Sequence, residues 1–185
     1  RQVLYHNDFS LCSRKVRICL HEAGFNYESK HIDLIETGKY EVASKSFLKI
    51  NPGATVPVLL NKGRPIYESH EQIKFIFNKM ENFKVQEDVT HSIDYWTNKA
   101  SMVGNPVKEH KKYAGNTIGP LTFPLFTTML KNVSIIEVAK GLASHPMRQR
   151  VLIFLFLKKF GFTFLKVPPI QNLIKSAFMD LNKHL

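Results

Sequence analysis

The chain has 185 residues, 44% of them hydrophobic and 22% charged. Those figures exclude collagen-like, generally disordered and disulfide-scaffold classes and allow one medium domain or a small domain with a helical partner. The net charge of +11 is spread unevenly, with 12 Lys and Arg against 8 Asp and Glu in residues 1–80 and 14 against 7 in residues 81–185. No acidic residue falls between Glu137 and Asp180, where Arg148, Arg150, Lys158, Lys159, Lys166 and Lys175 all lie. Such a field favours acidic ligands, anionic membranes or nucleic acid. No nucleic-acid motif accompanies it, so it reads as a solvated helical face, with no nucleic-acid partner and peripheral membrane contact the less favoured alternative.

Val3-Leu4-Tyr5 suits a short buried strand, and the polar run His6 to Ser10 a turn. From about Ser13, Val16, Ile18, Cys19, Leu20 and Ala23 suit a helix that Gly24 would cap. Asn26 to Leu34 reads as a second strand and Tyr40 to Leu48 as a weaker helix, ended by Asn51-Pro52-Gly53. Val56 to Leu60 and Pro65-Ile66-Tyr67 are strands of a hairpin turned at Asn61-Lys62-Gly63. Ser69 and Gln72 form a capping-box pattern before Ile73, Phe75, Ile76, Phe77 and Met80. The order β-α-β-α-β-β-α describes a compact α/β domain over residues 1–80.

Residues 81–89 read as a linker, and 90–185 as an all-helical domain. Ser92 to Val103 is expected to be helical, and Thr117 to Met129, with Pro120 and Pro124, kinked or partly irregular. Ser134 to Leu142 opens with a Ser134–Glu137 capping box; 147–160 and 170–185 are further helices separated by Pro168-Pro169. Phe154, Phe156, Phe160, Phe162 and Phe164 are expected to serve as core rather than as a lipid contact. The longest apolar stretch, Val151 to Leu157, is too short to span a bilayer. The chain opens on Arg1 without a secretory signal, so the sequence is expected to be trimmed and the protein soluble.

Three features could carry chemistry. Ser10 and Cys12 stand at a strand-to-helix turn, where unpaired N–H groups and the positive end of the helix dipole stabilise a thiolate, with Arg14 adding charge. Alternatively, Ser10 is a simple cap and Cys12 a small buried residue. Val56-Pro57 heads the third strand, where a cis bond would turn the Val56 backbone toward an extended peptide; an ordinary strand-initiating proline is the other reading. Glu68-Ser69 offers a carboxyl and a hydroxyl at a helix N-terminus, suited to a zwitterionic amino-acid head, unless Ser69 and Gln72 satisfy each other as a capping box. The eight histidines show no metal-ligand spacing, and Cys12 and Cys19 form no zinc pair, so no metal is expected. The two cysteines lie about 10 Å apart along one helix, too far for a disulfide, which fits a reducing compartment.

Ser10-x-Cys12-Ser13-x-x-Val16-Arg17, Asn51-Pro52-Gly53-x-x-Val56-Pro57-Val58-Leu59 and Glu68-Ser69 together resemble the thioredoxin-like N-terminal domain of the cytosolic glutathione transferases over residues 3–80. The Ser-x-Cys-Ser spacing is similar to the zeta class and the hydroquinone dehalogenases. The wider pattern, including Trp96-Thr97-x-Lys99, resembles the branch with bacterial β-etherases and the ganglioside-induced differentiation protein. The resemblance implies glutathione as co-substrate, Ser10 as donor to its thiolate, and Cys12 as the group that would act in mixed-disulfide or isomerase chemistry. It also implies Ser13, Val56, Pro57, Glu68 and Ser69 as glutathione-binding residues, a small electrophilic and largely apolar second substrate, a homodimer and a cytoplasmic location. No Thr/Ser-Leu-Ala-Asp motif occurs, so the helical domain is expected to be incomplete. The remaining alternative is a non-catalytic, transferase-like protein that binds a partner or a membrane.

Overall fold

The structure is a computed structural model and describes residues 1–80, 118–146, 148–161 and 179. The linker expected at 81–89, the helices expected at Ser92–Val103 and 170–185, and Trp96-Thr97-x-Lys99, Phe162 and Phe164 lie outside the described residues.

Four strands form one sheet in the order β2-β1-β3-β4: β1 Gln2–His6, β2 Glu28–His31, β3 Val58–Asn61 and β4 Arg64–Ile66. β1 runs parallel to β2, with Leu4 opposite Ser29, and antiparallel to β3, with Leu4 opposite Leu59. Three helices accompany it: α1 Leu11–Glu22, α2 Lys45–Leu48 and α3 Ser69–Phe77. The parallel pair joined through α1 and the terminal hairpin give the expected thioredoxin-like α/β arrangement, and a helical region follows. That region contains α4 Ile118–Asn132, α5 Ile135–Ser144 and α6 Arg148–Phe160.

Strand alternation divides the core in two. Leu4 and Leu59 face α1 and α3 and pack with Val16, Leu20 and Ile76. Tyr5 and Val58 face the opposite way, into a larger cluster with Ile35, Tyr40, Val42 and Phe47 and with Leu130, Val138, Val151, Phe154 and Leu157 of the helices. α1 ends in a Schellman motif: Phe25 N–H donates to Leu20 O at 2.9 Å and Gly24 N–H to His21 O at 3.0 Å, with Gly24 at φ +67°. Phe25 then packs in the same cluster as Leu20, the apolar contact that accompanies this cap.

Several elements differ from the expectation. The second strand is only Glu28–His31, because the Asp33 and Glu36 carboxylates bend the following loop. Asp33 accepts from Thr37 and Tyr40 N–H at 2.7 and 2.9 Å, and Glu36 from Leu34 and Ile35 N–H at 2.9 and 3.0 Å. The Tyr40–Leu48 segment splits into a 3-10 turn, Glu41–Ala43, and α2, because Ser44 is extended and its Oγ caps Phe47 N–H. α4 runs as one helix across both prolines; Pro120 falls in the first turn, where the N–H has no intrahelical partner to lose. Ser134 caps α5 as expected, but Glu137 pairs with Lys140 instead of closing the box. The Phe stretch is core only in part. Phe154 is buried, whereas Phe156 and Phe160, one turn apart, stay 49% and 44% exposed. No described helix is long and apolar enough to cross a membrane.

Candidate functional site

The N-termini of α1 and α3 lie on the same side of the sheet, because the two helices pack against each other over the Leu4–Leu59 face. Between them opens a shallow cleft, open to solvent and lined by Cys12, Thr55, Val56, Pro57, Glu68, Ser69 and His70. The structure therefore brings together five of the seven residues singled out from sequence: Cys12, Val56, Pro57, Glu68 and Ser69. The Val56-Pro57 bond is cis.

Ser10 and Ser13 are not among the lining residues. Ser10 is the N-cap of α1, and its Oγ accepts from Ser13 N–H at 3.2 Å. That bond uses an oxygen lone pair and leaves the hydroxyl proton free to donate. Ser13 is fully buried, and its Oγ accepts from Asn7 N–H at 3.3 Å. It braces the turn beneath the cleft.

The turn is held chiefly by Asn7, which the sequence reading passed over as part of a polar loop. Asn7 Oδ1 accepts from Phe9 N–H at 2.9 Å, its carbonyl from Ser10 N–H at 3.3 Å, and its amide donates to Ile32 O at 2.9 Å and to Glu36. On the outer side Arg17 pairs with Asp8 and donates to His6 Nδ1 at 2.9 Å. Burial, followed by the Arg17 charge, lowers the His6 pKa and keeps the ring a neutral acceptor.

At α3 the expected capping box is absent. Glu68 occupies the N-cap position at φ +59°, and no side chain caps the helix. Gln72 is buried and reaches sideways, its Nε2 donating at 2.9 Å to both Pro57 O and Ile66 O. It fastens the cis-proline strand to the helix instead of satisfying Ser69. Ser69 is 5% exposed and lines the cleft, and its hydroxyl makes no hydrogen bond among the described residues. A buried hydroxyl beside free helix N–H groups suits a carboxylate.

The charged groups around the cleft act on one another. Burial pushes the Glu68 carboxyl up, with Lys15 opposing. Lys15 lies on α1 one turn beyond Cys12, and its Nζ stands 3.2 Å from His70 Nε2 and 3.4 Å from Nδ1. Burial and the Lys15 charge take the His70 pKa down to about 4, so the imidazole is neutral and receives the ammonium's hydrogen bond. Arg14, expected to supply positive charge here, is exposed on another side of the helix. Lys15, rather than Arg14, reaches a residue that lines the cleft. Its three-residue spacing from Cys12 was the available signal, since i and i+3 share a helix face.

A model of the glutathione S-transferase N-terminal domain matches residues 9–78. Among curated relatives, the chain is 37% identical over 87 residues to glutathione S-transferase TCHQD of Arabidopsis thaliana and to glutathione S-transferase 1 of Dianthus caryophyllus. Those matches cover 47% and 46% of this chain but only 32% and 38% of the relatives, so they span about a third of the curated relatives' length. Among solved structures, the β-etherase LigF from Sphingobium sp. strain SYK-6 superposes with a TM-score of 0.60 at 20% identity. That match covers 96% of this chain and 68% of LigF, and it is a likeness of fold.

Proposed function

From the premise that residues 9–78 carry a glutathione S-transferase N-terminal domain and that the chain belongs to the cytosolic glutathione transferase superfamily, we propose that it binds glutathione and activates its thiol for attack on a small, largely apolar electrophile. The observation that carries this reading is the uncapped N-terminus of α3, with buried Ser69 unpartnered among the described residues and Glu68 beside it. The γ-glutamyl carboxylate would accept from Ser69 and the α3 N–H groups, and its ammonium would donate to Glu68. Val56, beside cis-Pro57, would pair its backbone with the cysteinyl residue.

The ligand thiol would then point toward the N-terminus of α1, where the dipole favours a thiolate and the Ser10 hydroxyl has a proton to donate. Exposed Phe9 and Leu11 flank Ser10 and offer apolar surface for an acceptor. Attack forms a carbon–sulfur bond to glutathione, and the electron pair leaves with the displaced group or is protonated after addition. Domains at 1–80 and 90–185, a homodimer and a cytoplasmic location are proposed from the family alone.

One observation favours a second reading: Cys12 lines the cleft while Ser10 does not. A Cys12 thiolate would attack a glutathione mixed disulfide, taking the glutathionyl sulfur and releasing the other thiol. A second glutathione thiolate would then restore Cys12 and leave as oxidised glutathione.

The test is an ultraviolet titration of the thiolate of bound glutathione in the parent, Ser10→Ala and Cys12→Ala proteins. Conjugation chemistry requires thiolate formation well below the free-thiol pKa, lost in Ser10→Ala and kept in Cys12→Ala. Retention in Ser10→Ala, with a glutathione adduct at Cys12 by mass spectrometry, selects the second reading. Glutathione bound without thiolate sinks the conjugation reading.

A further inference from the structure

The cleft assigned to glutathione contains an unbalanced pairing of charges. Glu68 supplies one negative group for the ammonium of a zwitterionic head, but the carboxylate is answered by the neutral Ser69 hydroxyl and the α3 N–H groups without a full positive charge. The missing positive charge lies directly behind the lining. Lys15 projects from α1 to α3, where both ring nitrogens of His70, the residue after Ser69, are within 3.4 Å of its Nζ. The ammonium therefore sits against the first turn of α3, beside the proposed carboxylate position, while Cys12 on its own helix and Glu68 both act on its charge.

Lys15 also has an unmet need. It is half-buried, and no carboxylate oxygen lies within 4.0 Å of it among the described residues, since it forms none of the ion pairs found there. Burial disfavours its charged form, while Cys12, Glu68 and Cys19 support it from a distance. A neutral imidazole accepts one of three ammonium protons and leaves the others undirected. An incoming carboxylate would complete the arrangement.

We propose that Lys15 is a glutathione-binding residue whose ammonium pairs with the γ-glutamyl carboxylate, and that His70 is the positioning residue holding it at the α3 N-terminus. The proposal rests on the glutathione-binding reading and deepens it: the site recognises a complete zwitterion, with Glu68 for the ammonium and Lys15 with Ser69 for the carboxylate. Ligands with only one of the two charges would be discriminated against.

The experiment is a binding cycle by calorimetry, pairing the parent and Lys15→Met proteins with glutathione and with glutathione whose γ-glutamyl α-carboxylate is converted to an amide. Lys15→Met is expected to weaken glutathione roughly tenfold and leave the amide unaffected, as a charge-assisted pair requires. His70→Gln is expected to weaken glutathione by roughly threefold, again only when the carboxylate is present. Lys15→Arg retains the charge and is expected to restore most of the affinity. In the parent protein, saturating glutathione should slow acetylation of Lys15 by acetic anhydride, a readout that needs no variant to fold. Equal weakening of both ligands, or no weakening of either, overturns the proposal while glutathione binding stands. Failure of the parent protein to bind glutathione at all removes the underlying reading first, and this proposal with it.

Discussion

Two helix N-termini meet at the cleft, and they are finished differently. α1 is closed by its own sequence: Ser10 accepts from Ser13 N–H, and Asn7 holds the turn behind it. α3 is left open. Its N-cap residue gives no side-chain bond, Ser69 is buried without a partner among the described residues, and Gln72 is committed to Pro57 and Ile66. A closed end presents a set geometry, whereas an open end presents unsatisfied donors. In one pocket the first suits holding a reacting atom and the second suits gripping a charged ligand.

The contrast breaks most severely at Gln72. Gln72→Ala removes the donor to the buried Pro57 O and to the half-buried Ile66 O and is expected to cost about 2–3 kcal/mol in urea unfolding. A loss under about 0.5 kcal/mol would show that the α3–proline strap contributes little. The two serines sharpen it. Ser10→Ala removes a cap and is expected to cost about 1 kcal/mol of stability. Ser69→Ala breaks no bond found among the described residues, so it should leave stability near the parent value while weakening glutathione. Equal stability losses for the two would mean that α3 is capped after all.

The last contrast is electrostatic. The His70 pKa is taken down to about 4 in the folded chain from an ordinary 6.5, first by burial and then by Lys15 and Lys74. The unfolded chain therefore binds the proton more readily. Stability is full above about pH 6.5 and falls as pH drops toward about 4. His6 acts in the same direction, and Glu68, whose carboxyl is pushed up, in the opposite one. His70→Asn should flatten the fall in melting temperature between about pH 7 and about pH 5. An unchanged slope would place the pH response elsewhere.

The element order of the α/β domain was legible because each strand and helix carries its own local signal. Ser10, Cys12, Val56-Pro57 and Glu68-Ser69 stood out for the same reason. The Ser69–Gln72 pattern misled because a glutamine three residues past a serine also fits a partner on a neighbouring strand, and tertiary contact decides between the two. Ser13 looked like a ligand residue by position, yet its neighbour in space is the Asn7 backbone. Lys15 and His70 were invisible as a pair because 55 residues separate them. Arg14 drew attention as a charge next to the motif, but one helix step of about 100° turns it away from the cleft.

The loop after β2 carries a consequence for anyone choosing where to cut the gene. Gly38, at φ +85°, lies so close to the start of α5 and the turn before it that a Cβ there would come within 2.9 Å of Val133 Cγ1 and 3.1 Å of Glu137 Cβ. Beside it, Lys39 O is bonded to His145 Nε2 at 2.8 Å, and the Tyr40 ring meets Phe154 edge-on at 4.7 Å. Expressed without the helices, residues 1–80 would lose the contacts of Gly38, Lys39 and Tyr40 and would open one side of the apolar cluster to which Tyr40 belongs. The cleft residues all lie within that first segment, but the helices beyond it form part of what keeps the segment from aggregating.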